Sequence, residues 1–281
     1  MRLGGMSEAK VFETIPASNA IQFIVDESRV FQMISKNEIK EIRALGQKKF
    51  RDERGLFVVE GEKLVEEALR SGFDVVAHYR IEDIGEEAMA RISQLTHPSP
   101  ALAIVRQRAP MPFTIGPDEL VLALDGVRDP GNLGTILRIA DWFGIRQVLA
   151  SEDTVELYNP KVVQATMGAI FRVRMHYCDL PSTLRFPVKP GMTENRSSQA
   201  SGGIPVYGTF LEGDNIYSTP LTKGGIIVMG SEAHGVSAEV AATVTRKLFI
   251  PPFPADAHTS ESLNVAVATA ITCAEFRRRS G

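Results

Sequence analysis

Residues 120–144, LVLALDGVRDPGNLGTILRIADWFG, restrict the fold of this 281-residue chain more than any other stretch. Leu120 to Leu124 form an apolar run with the character of a buried strand. Asp125, Gly126, Asp129, Pro130 and Gly131 then break it with turn chemistry. Asn132 is suited to cap the helix that follows, because its side-chain oxygen can accept from a free backbone N–H. Leu133, Ile136, Leu137 and Ala140 recur at helical spacing and give that helix one buried face. Arg138 and Asp141 interrupt the pattern, and Gly144 is placed to end the helix. A turn carrying Asp129, Asn132 and Gly134 at the carboxyl end of a strand is where open α/β sheets hold their ligands.

Composition bounds the class. Hydrophobic residues make up 44% and charged residues 23%, so a packed core is within reach. No apolar run approaches the roughly 20 residues that span a bilayer, and a cytoplasmic protein is expected. The two cysteines, Cys178 and Cys273, cannot build a disulfide framework and read as reduced core residues. With a net charge of −3, any contact with nucleic acid has to come from basic residues gathered locally.

Residues 1–32 lack the apolar segment and cleavage site of a signal peptide, and are expected to be a poorly ordered extension; a strand from Ile21 to Val25 is the alternative. Ser35 with Glu38 forms a capping box that starts a helix with Ile39, Ile42 and Leu45 inward. GQKKFRDERG follows, then a strand at Leu56–Val59 and a helix from Gly61 with Leu64, Val65, Ala68 and Leu69 buried. Val75–Tyr79, residues 84–95 and Leu102–Val105 complete an alternation of strand and helix, so residues 33–108 read as a small layered α/β domain. Lys40, Arg43, Lys48, Lys49, Arg51 and Arg54 cluster there, either as a solvated helix end and turn or as a patch that neutralises RNA phosphates. The proline-rich residues 109–118 read as a linker.

Residues 119–281 form a second domain. Residues 187–203 are rich in Gly, Ser and Pro and should be a mobile loop. Three stretches share one design, an apolar strand, a loop of Gly, Pro and small polar residues, and a helix: LALDGVRDPGNLGTILRIA, IIVMGSEAHGVS and LFIPPFPADAHTSESLNVAVATA. Singly each is a common connection. Asn132 alone is a helix cap, Arg138 a surface arginine paired with Asp141, Ser262 and Asn264 a helix opening, and Glu232 and His234 solvated loop residues.

Together and in this order, the three stretches resemble the motifs of the SpoU (TrmH) family of RNA ribose 2′-O-methyltransferases, and GLFVVEGEKLVEEAL resembles the L30e-like substrate-binding domain that often precedes them. The resemblance implies an L30e-like α/β domain followed by an α/β SPOUT methyltransferase domain with a C-terminal deep trefoil knot, a topology that general rules of chain threading would not suggest. It implies a homodimer that binds S-adenosylmethionine and uses no metal. Carried over residue by residue, Thr209, Gly230, Ile250 and Leu263 surround the cofactor. Arg138 is the central catalytic residue, with Asn132, Glu232, Ser262 and Asn264 as its polar partners; His234 receives no role.

An arginine is a poor base, so Arg138 is expected to grip a phosphate that helps take the proton and to polarise the ribose hydroxyl, with direct base catalysis by neutral Arg138 as the alternative, while Asn132, Ser262 and Asn264 position the reactants. Two departures concern the loops: Ala233 stands where the family commonly has Gly after its GSE, and Pro252 replaces a Met in a longer third motif. The implied substrate is ribosomal RNA, most directly 23S, with tRNA or non-catalytic RNA binding as alternatives. A dinucleotide-dependent oxidoreductase is excluded because the first loop contains no G-x-G-x-x-G.

Overall fold

The computed structural model describes residues 34–185, 203–254 and 260–279. The expectations for residues 1–32 and almost all of the loop 187–203 lie outside these residues.

The N-terminal lobe begins with α1 (Lys36–Ala44), capped by Ser35 with the reciprocal Glu38 bond of a capping box. The charged run that follows is a helix, α2 (Lys48–Arg54), rather than a turn. Then come β1 (Leu56–Glu60), α3 (Glu62–Arg70), β2 (Val75–Arg80), α4 (Ile81–Ile84), α5 (Glu86–Ile92) and β3 (Ala101–Arg106). The expected helix over 84–95 is two short pieces, because Gly85 adopts φ 83° between them and ends the first. The strands form an antiparallel sheet in the order β1-β3-β2. One sheet face, with Val58, Leu102, Ile104 and Tyr79, packs on α1, α4 and α5.

The C-terminal lobe is a six-stranded parallel sheet in the order β6-β5-β4-β8-β7-β9. Its strands are β4 (Leu120–Asp125), β5 (Gln147–Ala150), β6 (Arg174–Tyr177), β7 (Val206–Asn215), β8 (Gly225–Gly230) and β9 (Arg246–Phe249). β4 is central and buried throughout. Leu120, Leu122 and Leu124 face one layer with α6 (Pro130–Trp142), α7 (Pro160–Ala165) and α10 (Val265–Arg278), whereas Val121 and Ala123 face α8 (Leu180–Arg185) and α9 (Ala238–Ala241). That alternation follows from the two-residue period of a strand. β7 extends to Asn215; after an irregularity beyond Thr209, Asp214 and Asn215 pair again with β9.

The two lobes share one core. The second face of the N-terminal sheet, including Phe57, Val59 and Val105, joins the cluster built on β4, α6 and α7. Phe57 meets Tyr158 with ring centroids 4.6 Å apart, and Phe73 meets Phe171 edge-on at 5.1 Å. Arg108 lies 4.1 Å over the Phe73 ring and donates to the Phe171 carbonyl at 2.8 Å. The second face of β1 is thus buried jointly by α3, through Leu64, Val65 and Ala68, and by docking of the C-terminal lobe.

Arg51 belongs to this interface and not to the basic surface. It is 2% exposed, is ion-paired with Glu156 of the other lobe, and donates to the Leu45 carbonyl at 2.9 Å. A buried guanidinium is costly unless paired, and removing its partner leaves an uncompensated charge. Replacement of Arg51 by Ala is expected to lower unfolding free energy by about 3 kcal/mol, as denaturant titration would record.

Candidate active site

In the C-terminal sheet, β5 and β6 lie on one side of β4, and β8, β7 and β9 on the other. Chain direction around the sheet therefore reverses between β4 and β8, and the crevice beyond their carboxyl ends is the place where such sheets bind ligands. Asp125 and Gly230, the last residues of the two strands, are register partners. A cleft of about 420 Å³ opens there, lined by Asp125, Gly126, Arg128, Asp129, Asp153 and residues of the loop 231–237.

The loop after β8 is held from inside. Ser231 and Gly235 exchange backbone bonds at 3.0 and 2.8 Å, and the Ser231 hydroxyl accepts from the His234 N–H. Gly230 has no room for a side chain, because a Cβ would overlap the backbone of Gly235 and Val236. Asp125 Oδ2 accepts the Ser237 N–H at 2.7 Å and ties the loop to the end of β4. Glu232, Ala233 and His234 stand exposed at its tip. Across the cleft, the Ser151 hydroxyl and then Arg128 hold the Asp153 carboxyl below the ordinary carboxylate range.

The helix after β4 starts differently from the expectation. Asp129, not Asn132, is the N-cap; its Oδ1 accepts the Asn132 N–H at 2.8 Å, and Pro130 occupies the first turn. The Asp-Pro pair is a sequence signal for this start, since Pro fits the first helical position and Asp the position before it. The Asn132 side chain is thereby released for another contact. Gly144, with φ 66°, follows the end of the helix as expected.

Asn264 makes that contact. Its Oδ1 accepts from Ala266 N at 2.9 Å and Val267 N at 3.3 Å, capping α10, which starts at Val265 rather than near Ser262. Its Nδ2 donates to Asn132 Oδ1 at 3.0 Å and to Glu232 Oε1 at 2.6 Å. One side chain therefore joins the three loops, and every donor and acceptor it owns is used. With its oxygen turned inward, Asn132 directs its Nδ2 donors outward; Glu232 keeps Oε2 as an acceptor.

Arg138 is exposed on α6, six residues beyond Asn132 and therefore roughly 9 Å along the helix axis. It has no hydrogen bond or ion pair among the described residues, and Asp141 pairs with Arg172 instead. Ser262 is exposed two residues before Asn264. α6 and α10 run side by side in the same direction, joined at their starts by Asn132 and Asn264 and at their ends by Arg277 Nε donating to the Phe143 carbonyl at 2.8 Å.

Gly230 ends β8 and Ile250 follows the end of β9, while Thr209 lies within β7 between these two strands, at the point where its pairing with β9 is interrupted. Thr209 Oγ1 donates to the Val228 carbonyl at 3.3 Å. Leu263, 46% exposed, and Phe253, 97% exposed, leave large apolar groups uncovered in the loop after β9. Strand-end backbone groups beside uncovered apolar side chains suit an adenosine with an aliphatic tail.

Of the basic candidates, Lys40 and Arg43 are exposed on α1, and Lys48 and Lys49 on α2 form i,i+4 pairs with Asp52 and Glu53. Arg54 is ion-paired with Glu41 and donates to the Glu41 carbonyl at 2.9 Å. Sequence reasoning missed the roles of Asp125 and Asp129 and the Arg172–Asp141–Glu67 group. Only Asp129 had a local signal.

Residues 119–274 match the SpoU rRNA Methylase family, and residues 36–96 match the MRM3-like substrate binding domain. The chain belongs to the SpoU rRNA methylase family. It is 29% identical over 261 residues to the 23S rRNA (guanosine(2553)-2′-O)-methyltransferase RlmP of Bacillus subtilis, covering 86% of this chain and 97% of that protein. A putative RNA methyltransferase of the TrmH family from Porphyromonas gingivalis superposes with a TM-score of 0.75 at 40% identity, covering 88% of this chain and all of the other. An AdoMet-bound rRNA methyltransferase from Sinorhizobium meliloti superposes with a TM-score of 0.73 at 30% identity, covering 86% and 94%.

Substitution of Asn264 by Asp separates the two duties of this side chain. A carboxylate still caps α10 but offers no N–H to Asn132 or Glu232. Thermal stability should fall by no more than about 1 kcal/mol, while methyl transfer to RNA falls by at least tenfold; equal activity would remove the three-loop junction from the mechanism.

Proposed function

We propose that the protein is an S-adenosylmethionine-dependent methyltransferase that modifies a ribose 2′-hydroxyl in ribosomal RNA, with 23S rRNA the substrate favoured by its similarity to RlmP, and that it acts in the cytoplasm. The observation that carries this reading is the Asn264 junction, which gathers groups from three separated motifs around one crevice. When bound, S-adenosylmethionine supplies a methyl group already activated by its sulfonium. Thr209, Gly230, Ile250 and Leu263 would hold it.

The remaining work is to position the ribose and manage the hydroxyl proton. Arg138, permanently charged at neutral pH, grips the adjacent phosphate and brings the nucleophile into line. The outward Nδ2 of Asn132 donates to a phosphate or ribose oxygen. Glu232 Oε2 accepts from a hydroxyl. Ser262 lines the same approach. Fixing these groups in advance lowers the barrier by removing orientational freedom. The N-terminal lobe supplies the RNA-binding surface through Lys40, Arg43, Lys48 and Lys49.

A homodimer formed through the methyltransferase lobe is part of this proposal. Trp142 at the end of α6 is 85% exposed, and Val267 on the neighbouring α10 is 48% exposed, so a second copy would cover apolar surface on the helix pair. The trefoil knot implied by the motifs is also part of it.

Arg138→Ala is expected to reduce methyl transfer by about 10²-fold or more while calorimetry records unchanged S-adenosylmethionine affinity; full activity would sink the assignment. Lys40→Glu together with Arg43→Glu should weaken RNA binding and flatten the plot of log affinity against log salt by about 0.7–0.9 for each phosphate no longer neutralised.

A further inference from the structure

Arg138 and Asp141 are three residues apart on α6, the spacing at which an arginine and an aspartate meet on a helix surface. Without other influences Asp141 would take Arg138 as its partner. The structure gives Asp141 a different one. Arg172 Nε donates to both carboxylate oxygens of Asp141, at 3.0 and 2.8 Å, and its Nη1 donates to Glu67 Oε2 at 2.8 Å. Glu67 belongs to α3 of the N-terminal lobe, so Arg172 bridges that lobe to the helix carrying Arg138.

The bridge is built into close packing. Gly168, with φ 93°, leaves space that a Cβ could not share with the Glu67 carboxylate. Gly134 lets α6 approach α7 so closely that a Cβ would overlap Ala165. The Glu67 carboxylate thus lies against Gly168, and α6, which carries Asp141, is seated closely on α7.

We propose that Arg172 is a positioning residue: by occupying Asp141 it leaves Arg138 unpaired and available to RNA, and it is held in that role by Glu67 only while the two lobes are docked. This rests on the role given above to Arg138. Exposed ion pairs are individually weak, so the device acts by partner choice rather than by rigidity. Without the Glu67 carboxylate, Arg172 loses the anchor that fixes its side chain against Asp141, Asp141 is shared, and Arg138 spends part of its time folded back on its own helix.

The test compares single-turnover methyl transfer by the full-length protein and its Arg172→Gln and Glu67→Gln variants, each with and without Asp141→Asn. Each single variant is expected to be slower by about two- to fivefold, the range that an exposed ion pair can hold, with S-adenosylmethionine affinity unchanged. Adding Asp141→Asn should restore the rate by removing the competing carboxylate. A purely structural bridge would give the opposite result, since the second substitution would deepen the defect. Full activity of both single variants, or slow variants that Asp141→Asn fails to relieve, overturns the inference. Arg138→Ala is run in parallel: if it is inactive while rescue fails, only the role of Arg172 is lost, whereas full activity of Arg138→Ala removes the reading beneath it.

Discussion

The side-chain amide of Asn264 is the contact on which the arrangement of the site depends. Its oxygen is committed to the first turn of α10 and its nitrogen to Asn132 and Glu232. Because an amide has a fixed division between donor and acceptor ends, this commitment propagates. Asn132 must present its oxygen inward, and so presents its donors outward. Glu232 surrenders one oxygen and keeps the other. A chain of three side chains from distant parts of the sequence thereby acquires a defined polarity facing the crevice.

The scaffold beneath makes that polarity reproducible. Asp125 fixes the loop after β8 to the end of β4, and Gly230 lets the loop close against its own strand. The N-terminal lobe adds its share by merging its core with that of the sheet, through Phe57, Phe73, Tyr158 and Phe171. The proline-rich segment between the lobes therefore does not determine how they sit. The aromatic contacts and the buried Arg51–Glu156 pair do. An RNA held by the first lobe meets the second at a set distance, which suits an enzyme that has to select one ribose among many.

Much of this was readable where the determinants are local. The capping box at Ser35, the central strand and the Gly144 stop each depend on neighbours within one turn. The motifs also marked Asn132, Glu232 and Asn264 as a set. What could not be read depends on partners far along the chain. Arg51 looked like one more surface cation because Glu156 is 105 residues away. The C-terminal half of β7 contains Gly213, Asp214 and Asn215, residues with turn chemistry, yet β9 pairs with Asp214 and Asn215. At the start of α6, Asp129 and Asn132 are both competent caps; the proline between them favours Asp129, and the consequence, a free Asn132 side chain, becomes visible only when Asn264 arrives beside it.

Partner choice also bears on the role proposed for the exposed Arg138. Arg128, Arg172 and Arg277 have each found an acceptor within the protein. Arg138 has none among the described residues, although Asp141 lies within reach of its own helix turn. Tying Asp125, Asp153 and Arg128 into internal bonds, while withholding a carboxylate from Arg138, leaves a permanent positive charge whose donor fork matches the geometry of a phosphate. In the proposed reaction the substrate supplies the missing acceptor, so the energy of completing that pair becomes available for orienting the ribose hydroxyl rather than for folding the protein.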